Sequence, residues 1–138
     1  MAKGYDKHQE RQNDLASFGR ELVRRSGTAC ELCRATGVSL TIFEVPPLPE
    51  EPHIEHCLHL CETCQEQIKS PKLMEPNHWR CLYETIWSEV PAAQVMAVRL
   101  LRRLSDHEPW ATHEPWAAEL LSEAYLAEET QVWADQEA

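Results

Sequence analysis

No apolar run of about 18 residues occurs in the 138-residue chain, so nothing in it reads as a membrane-crossing helix. The opening segment MAKGYDKHQERQNDLASFG lacks the apolar core of a signal peptide. The two absences lead to the expectation of a cytoplasmic, reducing environment. There, the six cysteines are expected to serve as metal ligands and core residues rather than as disulfides. A Ser/His/Asp set, a phosphate-cradling GxxxxGK[ST] loop and a GxGxxG dinucleotide fingerprint are also missing. Basic residues vanish from one end of the chain. Residues 106–138 carry nine acids and no Lys or Arg, whereas 1–34 sum to +2 and 35–105 to −3, for a total of −10. Such a tail repels phosphate backbones and argues against nucleic-acid binding, which rests on cationic contacts. It reads as a solvated helical face or as a docking surface for a basic protein partner.

The cysteines are not scattered. CELC spans residues 30–33 and CETC spans 61–64, two C-x2-C units with 27 residues between them. Two residues between cysteines let a tight turn present both thiolates to one ion about 2.3 Å away. A second such knuckle completes a tetrahedron. A redox dithiol would need only one C-x2-C, inside a βαβ unit. The pairing therefore predicts one structural Zn2+ on Cys30, Cys33, Cys61 and Cys64. Four thiolates leave no open coordination position, which blocks Lewis-acid chemistry at that ion. Cys57 and Cys81 fall outside the pattern. Cys81 and His78 are three residues apart, and with Cys57 or His59 they make a conceivable second metal site. Buried thiols acting as small hydrophobes are commoner.

Around the knuckles, LASFGRELVRRSG (15–27) has apolar residues at three- and four-residue intervals and a terminating Gly27, predicting a helix. SLTIFEV (39–45) and HCLHL (56–60) predict two short strands flanking a proline-rich loop. In the second strand, Leu58 and Leu60 share one face and Cys57 and His59 the other. Beyond Cys64 the chain is expected to be helical. Pro71, Pro76, Pro91, Pro109 and Pro115 each precede a helix-like run. Trp79, Leu82, Tyr83 and Ile86 form one apolar stripe, and Ala93, Met96, Ala97, Leu100, Leu101 and Leu104 form another, with Arg99, Arg102 and Arg103 pointing away. Val95 and Val98 lie nearer the arginines, so a second surface is expected over that helix. HEPWATHEPWA (107–117) is a six-residue unit written twice, with His107 and His113 in loop positions, feeding a helix WAAELLSEAYL; a last helical segment lies around EETQVWADQ. The fold class predicted is α+β and mainly helical, a single domain over 1–138. Within it, 15–68 form a helix with a knuckle and hairpin module, and 69–138 form a helical region ending in the acidic segment.

The order helix, C-x2-C, strand, loop, strand, C-x2-C, helix is similar to zinc-stabilised HNH endonucleases. Those read roughly [DH]-H-I-x-P on the first strand and N-L-x-x-L-C-x-x-C-H at the second knuckle. The resemblance implies a strand histidine as general base and a catalytic divalent ion. Here FEVPP puts Phe43 and Glu44 where the acid and histidine stand, and HCLHLCETCQ puts His56 at the asparagine and Gln65 at the final histidine. A metal-dependent hydrolase, nuclease or phosphonate-related, would need a second metal, for which His53, His56, His59, His78 and Glu44 are the available donors. A broader resemblance runs through AKGYDKHQER, CELC, IFEVPP, LCETCQEQI, NHWRCL and WSEVPAAQVMAVRLLRRL. Together these look like the N-terminal part of the bacterial PhnA-like proteins of alkylphosphonate utilisation. That resemblance implies a zinc-ribbon-type element and no particular reaction; longer members continue into a small SH3-like barrel, which is not expected in this chain. The combined expectation is a zinc-stabilised cytosolic scaffold or interaction module, with the metal-dependent hydrolase as the alternative.

Overall fold

The computed structural model describes residues 2–106 and 115–136. The chain opens with α1 (Ala2–Ser17) and α2 (Gly19–Ser26), broken at Phe18. The expected single helix over 15–27 is thus two. Ser17 Oγ donates to Asp14 O at 2.6 Å, the side-chain-to-backbone competition that favours helix ends. Gly27 closes α2 in the left-handed region at φ 67°, with its N–H on Val23 O at 2.9 Å. A residue without Cβ adopts that conformation at no steric cost.

Strands β1 (Leu40–Glu44) and β2 (Cys57–Cys61) pair antiparallel, with Leu40 opposite Cys61, Phe43 opposite Leu58 and Glu44 opposite Cys57. The two ends of this hairpin therefore hold different cysteines: Cys61 at one and Cys57 at the other. All five β2 residues are buried, so both the Leu58/Leu60 face and the Cys57/His59 face are covered. Both sides of β2 are covered because α2 and the first knuckle pack beside it and α5 packs across it.

Helix α3 (Glu62–Lys69) starts inside the second knuckle. After it, the Pro71–Leu73 and His78–Cys81 turns lead into α4 (Leu82–Thr85). Three residues of the Trp79 stripe, Trp79, Leu82 and Ile86, are fully buried, while Tyr83 stays half exposed and stacks on Trp116 at 5.4 Å. Helices α5 (Pro91–Asp106), α6 (Trp116–Glu123) and α7 (Glu128–Ala134) complete the described chain. Pro109, His107 and His113 lie outside the described residues.

Helix α5 is the organising element. Its leucine stripe is buried, and so are Val95 and Val98, and both α6 and α7 pack on this helix. A helix apolar on nearly all sides must be central. One of its expected outward residues is corrected: Arg99 is only 3% exposed. Its guanidinium donates to Trp133 O at 2.8 Å and to Ala134 O at 3.3 Å, which places it on the carbonyl end of α7. The buried side chains of the knuckles, the hairpin and the helices form one continuous cluster, in an α+β, mainly helical fold.

Candidate metal centre

The first knuckle is a turn held by backbone geometry. Cys30 N–H donates to Ala35 O at 3.0 Å and Arg34 N–H returns to Cys30 O at 2.9 Å. This loop requires Arg34 at φ 65°, the left-handed region. Backbone hydrogen bonding from Cys33, Cys61 and Leu32 lowers the Cys30 thiol, and that from Ala35 acts in the same direction on Cys33.

The second knuckle is built differently. Cys61 is both the last residue of β2 and the residue that caps α3, with φ −77° and ψ 163°, and Cys64 sits in the first turn of the helix. Strand geometry thus brings one thiol to the site and helix geometry the other. The positive end of α3 favours negative charge on both.

Residues 30 to 33 are anchored by the glutamate they contain. Glu31 is buried, and its carboxylate accepts from Arg25 Nε at 2.8 Å, from Arg25 Nη2 at 2.7 Å and from His59 N–H at 2.8 Å. Arg25 Nη2 also donates to Cys57 O at 2.7 Å. Glu31 N–H reaches His59 O at 3.0 Å. One side chain of the first C-x2-C therefore pins that turn to α2 and to the strand that delivers the second. Nothing in the spacing of the motif announces this.

The result is a cluster in which the sulfurs of Cys30, Cys33, Cys61 and Cys64 all lie within 4.8 Å of one another. Cys30 Sγ and Cys64 Sγ are 3.7 Å apart, and Cys33 Sγ and Cys61 Sγ are 3.6 Å apart. Four sulfurs placed tetrahedrally at about 2.3 Å from a common ion are separated by about 3.8 Å, so the spacing suits a tetrahedral dication. Among the described residues this is the one group of His, Cys, Asp and Glu with such convergence.

Protonation energetics point the same way. Hydrogen bonding from Cys64, with help from the turn amides, brings the Cys30 thiol down to about 4. Burial raises Cys33 to about 11, and the Cys64 thiol rises because of its hydrogen bond with Cys30 and its burial beside charged neighbours. Of these three thiols only Cys30 is shifted toward the thiolate, and Cys33 and Cys64 are shifted away from it. A bound dication overcomes those upward shifts, because a coordinating thiol is held deprotonated.

His78, a candidate donor for a second site in the sequence, instead lies against the four-cysteine group. Its Nε2 lies 3.3 Å from Cys64 Sγ, and burial holds its ring below the usual imidazole range, so the neutral ring can donate to the sulfur. Cys81 faces the same cluster. Burial first, and then the charges of Cys33 and Cys30, push its thiol up to about 12. Cys57 is elsewhere: its thiol donates to His53 O at 3.4 Å and is raised to about 11 by burial and by Glu44. His78 and Cys81 therefore flank the four-cysteine group and do not gather with Cys57 into a second one.

The residues standing at nuclease positions are each engaged separately. Glu44 accepts from Arg11 Nη2 at 2.6 Å and from Arg11 Nε at 2.9 Å. The His56 ring lies 4.5 Å from that of Trp133. Gln65 Nε2 donates to Thr41 Oγ1 and Leu60 O. Searches against protein families, curated proteins and solved structures return no match for the chain.

Proposed function

We propose that the protein is a zinc-binding, PhnA-like cytoplasmic protein in which one Zn2+ is structural and the folded surface acts as a scaffold or interaction module. The single observation that carries the zinc reading is the four-sulfur cluster with edges of 3.6 and 3.7 Å. Four soft thiolates in a tetrahedron select zinc among common divalent ions. When bound, the ion supplies cross-linking of the two knuckles, and Glu31, the turn amides and the first turn of α3 hold its thiolates in place.

The interaction reading rests on the surface. Glu119, Glu123, Glu128 and Glu129 are exposed on α6 and α7, with Tyr125 and Val132 exposed among them. That combination suits a basic protein partner and disfavours a nucleic acid. No described helix is long and apolar enough to cross a membrane. A hydrolase would need a second metal, and Glu44, one of its five candidate donors, is held by Arg11.

The test is metal content per chain, measured by elemental analysis on protein purified under reducing conditions without added metal. One equivalent of zinc is expected. A metal-free folded chain would overturn the zinc reading, and two equivalents would favour the hydrolase.

A further inference from the structure

The four thiols are not equally reachable. Cys30 and Cys64 have no solvent exposure and Cys61 has 4%, while Cys33 is only half-buried. Cys33 lines an open pocket of about 400 Å³ together with Cys61, His78, Val38, Ser39 and Thr63. The metal cluster thus has one face toward solvent, and that face carries the two sulfurs that lie 3.6 Å apart. The other two sulfurs are shielded by packing: Cys30 and Cys64 are fully buried, and Cys64 also contacts His78. Oxidation selects thiolates that are exposed.

We infer that Cys33 and Cys61 form a peroxide-sensitive modification site: a hydroperoxide entering the pocket oxidises Cys33, Cys61 resolves it to a disulfide, and the metal is released. The inference rests on the metal reading above. In the first step the Cys33 thiolate attacks one peroxide oxygen, the O–O bond breaks, and a sulfenic acid and hydroxide form. In the second, the Cys61 thiolate attacks the sulfenic sulfur, forms the S–S bond and expels a second hydroxide. Two electrons pass from the sulfurs to the peroxide. The ion loses two anionic ligands, and Cys30 and Cys64 are left in reduced form.

The experiment treats the zinc-loaded full chain with hydrogen peroxide. Metal release is followed with a chromogenic chelator, and the first disulfide is identified by alkylation and peptide mass spectrometry. A Cys33–Cys61 disulfide appearing in step with one equivalent of released zinc is expected. A first disulfide within either C-x2-C, between Cys30 and Cys64, or to Cys81 overturns the inference, as does a Cys33–Cys61 disulfide with the zinc retained. Ser39→Phe and Val38→Trp fill the pocket from exposed positions outside both knuckles. They should keep full metal content and slow oxidation by roughly fivefold or more; oxidation at the parent rate in both would show that the pocket is not the route. Zinc content measured before oxidant is added separates the two readings. Absent zinc sinks the functional proposal, whereas present zinc with the wrong disulfide sinks only the modification site.

Discussion

At the scale of single residues, sulfur position separates ligand from bystander. Cys30, Cys33, Cys61 and Cys64 converge, Cys81 lies beside them, and Cys57 sits at the other end of the hairpin. Replacing any one of the four by serine should abolish stoichiometric zinc, while Cys57→Ser and Cys81→Ser should each retain one equivalent by elemental analysis. Loss of zinc in Cys81→Ser with retention in Cys33→Ser would reassign the site. Glu31 is the other residue on which the site depends. Removing one partner of a buried ion pair leaves the other charge uncompensated. Arg25 keeps 27% exposure, which discounts that penalty through solvent screening. Glu31→Ala should therefore destabilise the zinc-loaded chain by about 2–3 kcal/mol in denaturant titration, with Glu31→Gln losing less because it can still accept from His59 N–H. Equal stability of Glu31→Ala and the parent would show that the zinc alone holds the first knuckle.

Among the elements, α5 matters most, and its arginines act as caps. A helix ends with carbonyls that have no partner within the helix. Arg99 and Arg102 donate to the last carbonyls of α7, and Arg103 Nη1 donates to Ile68 O near the end of α3 at 2.9 Å. Each places a positive charge at the negative end of a helix. With Arg99 removed, Trp133 O keeps Gln136 N–H and Ala134 O keeps Arg102 Nη1, but both lose the buried guanidinium. Arg99→Leu should cost about 2–3 kcal/mol, and Arg99→Lys should recover part of it, since a single ammonium cannot reproduce the planar fork. The measurement is chemical denaturation followed by helical circular dichroism. An unchanged midpoint for Arg99→Leu would mean that the remaining donors satisfy those carbonyls.

For the whole molecule, the question is how far the metal's contribution spreads. Structural zinc in small fingers is worth about 10–16 kcal/mol of apparent binding free energy, against about 5–15 kcal/mol for the stability of a whole domain. The knuckle and hairpin share the common core through Leu32, Leu58 and Leu60, and Thr85 Oγ1 donates to Leu32 O at 2.6 Å. Helices α6 and α7 also each pack on α5 without the knuckles, in a region where Leu100, Leu104, Trp116 and Leu120 are buried. A strong chelator should therefore abolish amide protection near Cys30–Cys33 and Cys61–Cys64 while much of the helical circular dichroism persists. Hydrogen exchange that shows the knuckle amides equally protected with and without metal would remove the structural role of zinc. Acidification acts in the same direction as the chelator. The Cys33 thiol lies at about 11 without metal, so uptake of metal expels its proton and affinity falls as pH drops.

The sequence by itself determined what depends on neighbours within a turn or a strand. Two residues between cysteines, β-branched runs beside prolines, and a leucine period of three and four were enough for the paired C-x2-C units, the hairpin and α5. Only the tertiary structure decided what depends on segments far apart. Glu31 inside CELC looked like any charged spacer until Arg25 and the His59 amide closed on it. His78 comes 14 residues after Cys64 and reaches the cluster because the intervening turns fold back on α3. Arg99 reads as solvent-facing from the helical period, yet α7 packs over it and its charge becomes a cap. The reason is physical: periodicity reports which side of an element is apolar, while the partner of a polar group is set by which distant backbone atoms the packing leaves without a donor or an acceptor.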